Sequence, residues 1–223
     1  MPSSVPARLV ITGLAALDVS RFRHQRICRA ARVPTREGAH FDIGHDGEAP
    51  PTLRTTFLNS REHHVSLFHG KVVVIVGATG VLGTLSARFL RAAGANVRLI
   101  ARTPPPLAHD LTDLPLASAD VGDRRSLQEA ADEVVAGRSI DGIVHCTGVV
   151  AFGGLGELSA EATRELFATN ALGAINVISL ATELNPGGVL ASFTGVAGDM
   201  AIVGMGVSCA SKSAAKTAMA VAA

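Results

Sequence analysis

Three glycines at a fixed spacing are the residues of this chain whose chemistry is easiest to name. Gly77-Ala78-Thr79-Gly80-Val81-Leu82-Gly83 is a G-x-x-G-x-x-G loop placed directly after an apolar run. Between a strand and a helix, such a loop offers free backbone N–H groups and the positive end of a helix dipole to a phosphate. Gly77 permits the tight turn off the strand, Gly80 lets the backbone approach a pyrophosphate, and Gly83 lets the helix pack closely on the sheet. Thr79, Val81 and Leu82 complete the loop and share its contact with the ligand. An ordinary βα turn explains the pattern less well, because glycines in regular structure are costly unless backbone approach requires them. The chemistry expected here is dinucleotide binding. About 20 residues on, an NAD site carries an acid for the ribose 2′-hydroxyl. This chain instead reads Ile100-Ala101-Arg102. A guanidinium at that point pairs with a 2′-phosphate, which favours NADP(H) over NAD(H), although a solvated surface arginine would look the same in sequence.

Other reactive residue types form no comparable pattern. Cys28, Cys146 and Cys209 lie far apart with no CxxC pair, so no zinc site or disulfide framework is indicated and a reducing, cytoplasmic setting is expected. The His63-His64 pair and His69 lack spaced Cys, Asp or Glu partners, so they read as solvated loop and no metal is expected.

The elements that must position the glycine loop are legible from Lys71 onward. Val72 to Val76 is a continuous β-branched run, as in a parallel strand buried on both faces. A helix should follow, with Leu82, Leu85 and Phe89 at helical spacing and Gly94 as its stop, and then a strand from Val97 to Ile100. Leu116 to Asp120 reads as a third strand, and Ser126 as the opening of a helix with Leu127, Ala130, Ala131 and Val134 on one face. A fourth strand over Ile143 to His145, a long helix, a fifth strand over Gly188 to Phe193 and a closing helix from about Ser208 complete the series. Such alternation predicts an α/β fold: a doubly wound, mostly parallel sheet of the Rossmann type in three αβα layers.

The order of motifs over residues 65 to 223 resembles the short-chain dehydrogenase/reductase family. Besides the glycine loop, Asp120-Val121 is similar to the family's acid–aliphatic pair at the adenine, and His145-Cys146-Thr147-Gly148 stands where Asn-Asn-Ala-Gly is usual. The resemblance therefore implies cofactor contacts from Asp120, Val121, Thr147 and Gly148. Asn170 in Phe167-Ala168-Thr169-Asn170 resembles the active-site Asn, and Ser208-Cys209-Ala210-Ser211-Lys212 resembles Tyr-x-Ala-Ser-Lys. It implies catalytic positions at Asn170, Ser208 and Lys212, with Lys212 also holding the cofactor ribose. Two departures strike the chemistry. The chain contains no Tyr, and the family's polarising Ser is replaced by Gly195. A phenol titrates near 10 and can be tuned towards neutrality, whereas the Ser208 hydroxyl is far less acidic and shorter. Neither Ser192 nor Thr194 takes the missing role by strand alternation. Free cysteines are usually small core residues, which is the expectation for Cys146 and Cys209.

Composition changes near residue 65. The first 64 residues hold nine Arg against six acids, net +3, and the remainder eleven basic against thirteen acidic residues, net −2. Residues 1–64 therefore read as an N-terminal extension of irregular structure with one helix near Leu14 to Ala31. Its arginine series fits an organelle-targeting presequence, an extension without function or a misplaced start. Residues 65–223 read as the Rossmann domain. Chain-wide net charge of +1, without long basic runs, gives no reason to expect nucleic acid or an anionic membrane as partner. No apolar run approaches the ~18 residues that span a bilayer. Relative to the family pattern the sequence stops within the helix that carries Lys212, which predicts a C-terminally truncated domain with an open sheet edge and a weakened version of the family's homo-oligomer. Two functions follow: an oxidoreductase acting on a small carbonyl or alcohol with a degenerate active site, or a non-catalytic NADP(H)-binding sensor or partner subunit.

Overall fold

Val72–Val76 (β2) organises the rest of the molecule. All five residues are buried, and their alternation divides them between two cores. Val72, Val74 and Val76 pack with Leu127, Val134, Val177 and Met219, while Val73 and Ile75 pack with Ala87, Leu90 and Leu99. A strand covered on both faces must lie in the middle of a layered sheet, and that is where it is found. The computed structural model describes residues 8–11, 68–102 and 107–222. The elements in chain order are β1 (Arg8–Ile11), β2, α1 (Val81–Ala92), β3 (Asn96–Ala101), β4 (Leu116–Ser118), α2 (Arg124–Val135), β5 (Ile140–His145), α3 (Ala160–Phe167), α4 (Gly173–Leu180), β6 (Leu184–Ser192) and α5 (Gly206–Val221), with a π-helical turn, Ala168–Leu172, joining α3 to α4. The sheet order is β1-β6-β5-β2-β3-β4, with every pair parallel. Helix α1 packs against β2, β3 and β5 on one face, and on the other α4 contacts both α2 and α5. This is the doubly wound Rossmann architecture in three layers.

The chain reverses direction across the sheet at β2. Successive units run outward from β2 through β3 to β4, and then from β5 to β6 on the other side. Ligand crevices of such folds lie at the carboxyl ends of the strands where the order reverses, here the ends of β2 and β5.

Three local expectations are corrected. The large apolar residues of α1 face outward, with Leu85 55% and Phe89 57% exposed, and the buried face is Gly83, Ala87 and Leu90. Close approach of helix to sheet admits only small side chains at the first two of these positions, so the conspicuous apolar spacing marks the wrong face. Helix α2 opens at Asp123, whose carboxylate accepts from the N–H groups of Arg125 and Ser126, so Ser126 lies in the first turn. The outer edge of β6, expected to be open, carries β1 in parallel register from Arg8 opposite Val189 to Ile11 opposite Ser192. The expected helix near Leu14 to Ala31, the His63-His64 pair and Cys28 lie outside the described residues.

Candidate functional site

The glycine loop is built from backbone contacts that admit no side chain. Leaving β2, Gly77 takes φ +88°, and its N–H and that of Ala78 both donate to the Ile100 carbonyl at 2.8 and 3.1 Å. A Cβ on Gly77 would stand 2.8 Å from Thr147, and one on Gly83 would stand 2.2 Å from the Gly77 carbonyl oxygen. Gly80, the N-cap of α1, differs: a Cβ there would meet only the Gly77 oxygen at 3.5 Å and otherwise open space. Two glycines thus close the loop on itself, and the third leaves its outer side bare. No side chain caps α1 and no acid occupies its first turn. Its first N–H groups are therefore free to receive an anion.

A groove of about 220 Å³ runs along the carboxyl ends of β2, β3 and β4. Among its lining residues are Gly77, Thr79, Gly80, Arg102, Asp120 and Val121. Asp120 accepts from the Gly122 N–H at 2.8 Å, which fixes the turn after β4, and the Val121 carbonyl accepts from Asn176 Nδ2 at 2.8 Å. Both residues are thereby held at the end of the groove away from the glycines. Arg102 follows β3, more than half exposed, with its guanidinium 3.9 Å from the Glu165 carboxylate of α3. That weak pairing leaves it able to turn towards a ligand phosphate. Val81 is 78% exposed and lines neither this groove nor the cavity beside it.

A second cavity, about 370 Å³, shares Cys146, Thr147 and Gly148 with the groove. Leu82, Phe193, Thr194, Gly195, Met205 and Lys212 also face it. Lys212 projects from α5 so that its Nζ would lie 3.0 Å from a Cβ on Gly148, which makes Gly148 the residue that leaves room for the amine. Burial pushes the Lys212 ammonium below the usual lysine range. Asn170 sits in the π-helical turn. Its Nδ2 donates to the Val149 carbonyl at 3.0 Å and to Ser211 Oγ at 2.9 Å, while its Oδ1 accepts from the Val149 N–H at 2.9 Å. The extra residue of the π turn aims the amide at the strand-end loop, and both amide protons go to protein acceptors.

Ser208 does not reach the cavity. It is wholly buried, donates to the Ala151 carbonyl at 2.8 Å and accepts from the Ala151 N–H at 2.9 Å. Gly195, with φ +70°, has nothing within 4 Å of where its Cβ would be. The positions that could move a proton are thus a hydroxyl turned away from the cavity and a residue with no side chain. Cys146 faces both spaces, yet burial lifts its thiol to about 11, only partly opposed by a contact with Ser86, so it is not a ready thiolate. Cys209 is buried.

One arrangement was not read from the sequence. His145, the last residue of β5, is buried with its Nδ1 2.9 Å from Ser192 Oγ and its Nε2 2.5 Å from Thr147 Oγ1. Burial, with a smaller contribution from the charge of Lys212, lowers its pKa to about 4, so the ring is neutral near pH 7. It orients the Thr147 hydroxyl at the junction of groove and cavity. The signal was a polar residue ending each of two apolar strand runs, Ile143-Val144-His145 and Leu190-Ala191-Ser192, at strand ends where ligands bind. Thr194 is also buried and lines the cavity.

Among the described residues no group of three His, Cys, Asp or Glu could hold a metal ion, and no helix is long and apolar enough to cross a membrane. A model of the family described as short chain dehydrogenase matches residues 71–223. Among solved structures, the ligand-free aldohexose dehydrogenase of Thermoplasma acidophilum is 18% identical, with a TM-score of 0.60 over 66% of this chain and 58% of that one. A short-chain dehydrogenase/reductase of Vibrio parahaemolyticus is 23% identical, with a TM-score of 0.61 over 67% and 75%. One from Serratia marcescens is also 23% identical, with a TM-score of 0.62 over 66% and 64%. At these identities the likeness is one of fold, and the chain spans 58% to 75% of the length of these three structures.

Proposed function

Because the chain belongs to the short-chain dehydrogenase family, a family of NAD(P)-dependent oxidoreductases, we propose that it binds NADP(H) in the groove and acts on a small carbonyl or alcohol through a degenerate active site. The observation that carries the reading is the closed glycine loop, in which Gly83 and Gly77 admit no Cβ while Gly80 is bare towards the groove. That cradle fits a pyrophosphate on the N-terminus of α1. Arg102, more than half exposed and only loosely paired, would take the 2′-phosphate, and Asp120 with Val121 would flank the adenine. When bound, the nicotinamide supplies hydride exchange. Thr147, held by neutral His145, and Lys212 would orient the ribose and the reacting oxygen on the cavity side.

The placement of Ser208 favours a second reading, a non-catalytic NADP(H)-binding sensor or partner subunit. Its hydroxyl is committed to Ala151, and nothing at Gly195 polarises a substrate oxygen.

Fluorescence titration of the full chain with NADPH and NADH tests the common part. NADPH is expected to bind at least about tenfold more tightly, a difference of ~1.4 kcal/mol. Gly80→Asp, tolerated sterically but opposing a phosphate with a carboxylate, should abolish binding without unfolding the protein. Equal affinities would remove the NADP(H) preference, and saturation by neither nucleotide would overturn the reading. Loss of NADPH absorbance with any member of a carbonyl panel separates the enzyme from the non-catalytic binder.

A further inference from the structure

Ser192, His145 and Thr147 form a series of hydrogen-bonding side chains that runs from the interior to the junction of groove and cavity. Its inner end is closed. Ser192 is buried and lines neither space, and among the described residues His145 Nδ1 is the one hydrogen-bond partner of its Oγ. A ring proton on Nδ1 would be donated to Ser192 Oγ, leaving the Ser192 hydrogen in the interior without an acceptor, and an imidazolium would do the same. With the proton on Nε2, Ser192 donates to Nδ1 and Nε2 donates to Thr147 Oγ1, so every buried hydrogen is satisfied. Burial and the charge of Lys212 keep the ring neutral near pH 7. Thr147 differs from its two partners in being half-buried and in lining both groove and cavity. It also lies against the first glycine of the loop, since a Cβ on Gly77 would stand 2.8 Å from Thr147 Cγ2. Its oxygen accepts from Nε2, so its own O–H is a donor.

We propose that Ser192 and His145 are positioning residues that lock Thr147 as a hydrogen-bond donor to an acceptor oxygen of the dinucleotide, where its ribose–phosphate backbone passes from groove to cavity. This deepens the cofactor reading and rests on it. In the other tautomer Thr147 would donate to Nε2 and meet the same ligand oxygen lone pair against lone pair. The contact serves the part common to NADPH and NADH, in contrast to that of Arg102.

Long-range proton–nitrogen NMR correlation on the full chain near pH 7 reads the tautomer, with the His145 signals assigned by their absence from His145→Asn. The ring proton is expected on Nε2. Fluorescence titration with NADPH and NADH reads the consequence. Thr147→Val removes the hydroxyl at nearly constant shape and should weaken both nucleotides about three- to tenfold, the worth of one hydrogen bond, while Thr147→Ser keeps the parent affinity. Ser192→Ala lets the ring proton occupy either nitrogen, so it should weaken both nucleotides severalfold although residue 192 lines neither space. Beside Thr147→Val it should cost nothing further, because no donor remains to be held, whereas a merely structural role would cost the same in both backgrounds. Cooperative thermal unfolding shows that each variant is folded. A ring proton on Nδ1, unchanged affinity in either single variant, or a Ser192→Ala loss that recurs beside Thr147→Val overturns this proposal alone. A parent chain that neither nucleotide saturates overturns the cofactor reading and this proposal with it.

Discussion

Replacing Gly83 with alanine tests the loop geometry most directly. The added Cβ would lie 2.2 Å from the Gly77 oxygen, 2.8 Å from Ala78 Cα and 2.9 Å from the Gly77 carbonyl carbon. Carbon-to-oxygen contacts ordinarily begin near ~3.3 Å, so helix and loop must part by about 1 Å. All three opposing atoms are backbone, and the loop is tied to β3 by the two bonds to the Ile100 carbonyl and to α1 by Thr84 Oγ1 donating to the Ala78 carbonyl at 3.2 Å. Overpacking costs about 1–3 kcal/mol, and a contact this short belongs at the upper end. Alanine returns about 1 kcal/mol of helix propensity. The net loss is therefore about 2 kcal/mol, or ~4–8 °C in Tm for a domain of this size. A displaced loop should also weaken NADPH binding at least about tenfold. Gly80→Ala is the control: φ is −73° and only one atom lies within 4 Å, at 3.5 Å. It should melt with the parent while still weakening NADPH, because its Cβ points to the phosphate side. Circular-dichroism melting without nucleotide, paired with fluorescence titration, reads both quantities. Gly83→Ala that melts within 1 °C of the parent and binds NADPH equally would refute the argument.

Ser208→Ala should destabilise by about 1 kcal/mol in chemical denaturation, since it removes both hydrogen-bond partners of the half-buried Ala151 backbone N–H and C=O, with NADPH affinity unchanged. Turnover lost at unchanged stability would instead put Ser208 in the chemistry. Arg102→Ala should weaken NADPH about tenfold and leave NADH alone, while Glu165→Gln, by releasing Arg102, should strengthen NADPH; equal losses for both nucleotides would deny Arg102 the 2′-phosphate. His145 gives a pH signature. Its folded pKa, about 4, lies below the unfolded value of 6.5, so the unfolded chain takes up the proton first as pH falls. Stability from the buried neutral ring is complete above pH 6.5 and declines towards pH 4, by about 3 kcal/mol in all. His145→Asn should flatten that part of the Tm–pH curve, and an unchanged slope would show that other groups cause it.

What could be read from sequence divides along a physical line. Val72–Val76, the alternation that follows it and the glycine loop are local patterns, and each forms where periodicity and turn chemistry place it. Features that depend on what a residue faces were not accessible in the same way. Leu85 and Phe89 have the spacing of a core stripe, but the helix lies so close to the sheet that Gly83 and Ala87 occupy the interface. Leu9-Val10-Ile11 is too short to identify a partner, and only the free edge of β6 makes it a strand. The site follows the same division. Its phosphate-binding half is made of backbone, which glycine spacing reports faithfully. Its chemical half is made of side chains whose directions are set by contacts remote in sequence: Ser208 is turned to Ala151, fifty-seven residues away, and His145 joins Ser192 to Thr147 across two strands. A match at Ser208 and Lys212 in one four-residue interval therefore says little about whether both groups serve one reaction. The structure separates them, with the Ser208 hydroxyl bonded to Ala151 and the Lys212 amine facing the cavity.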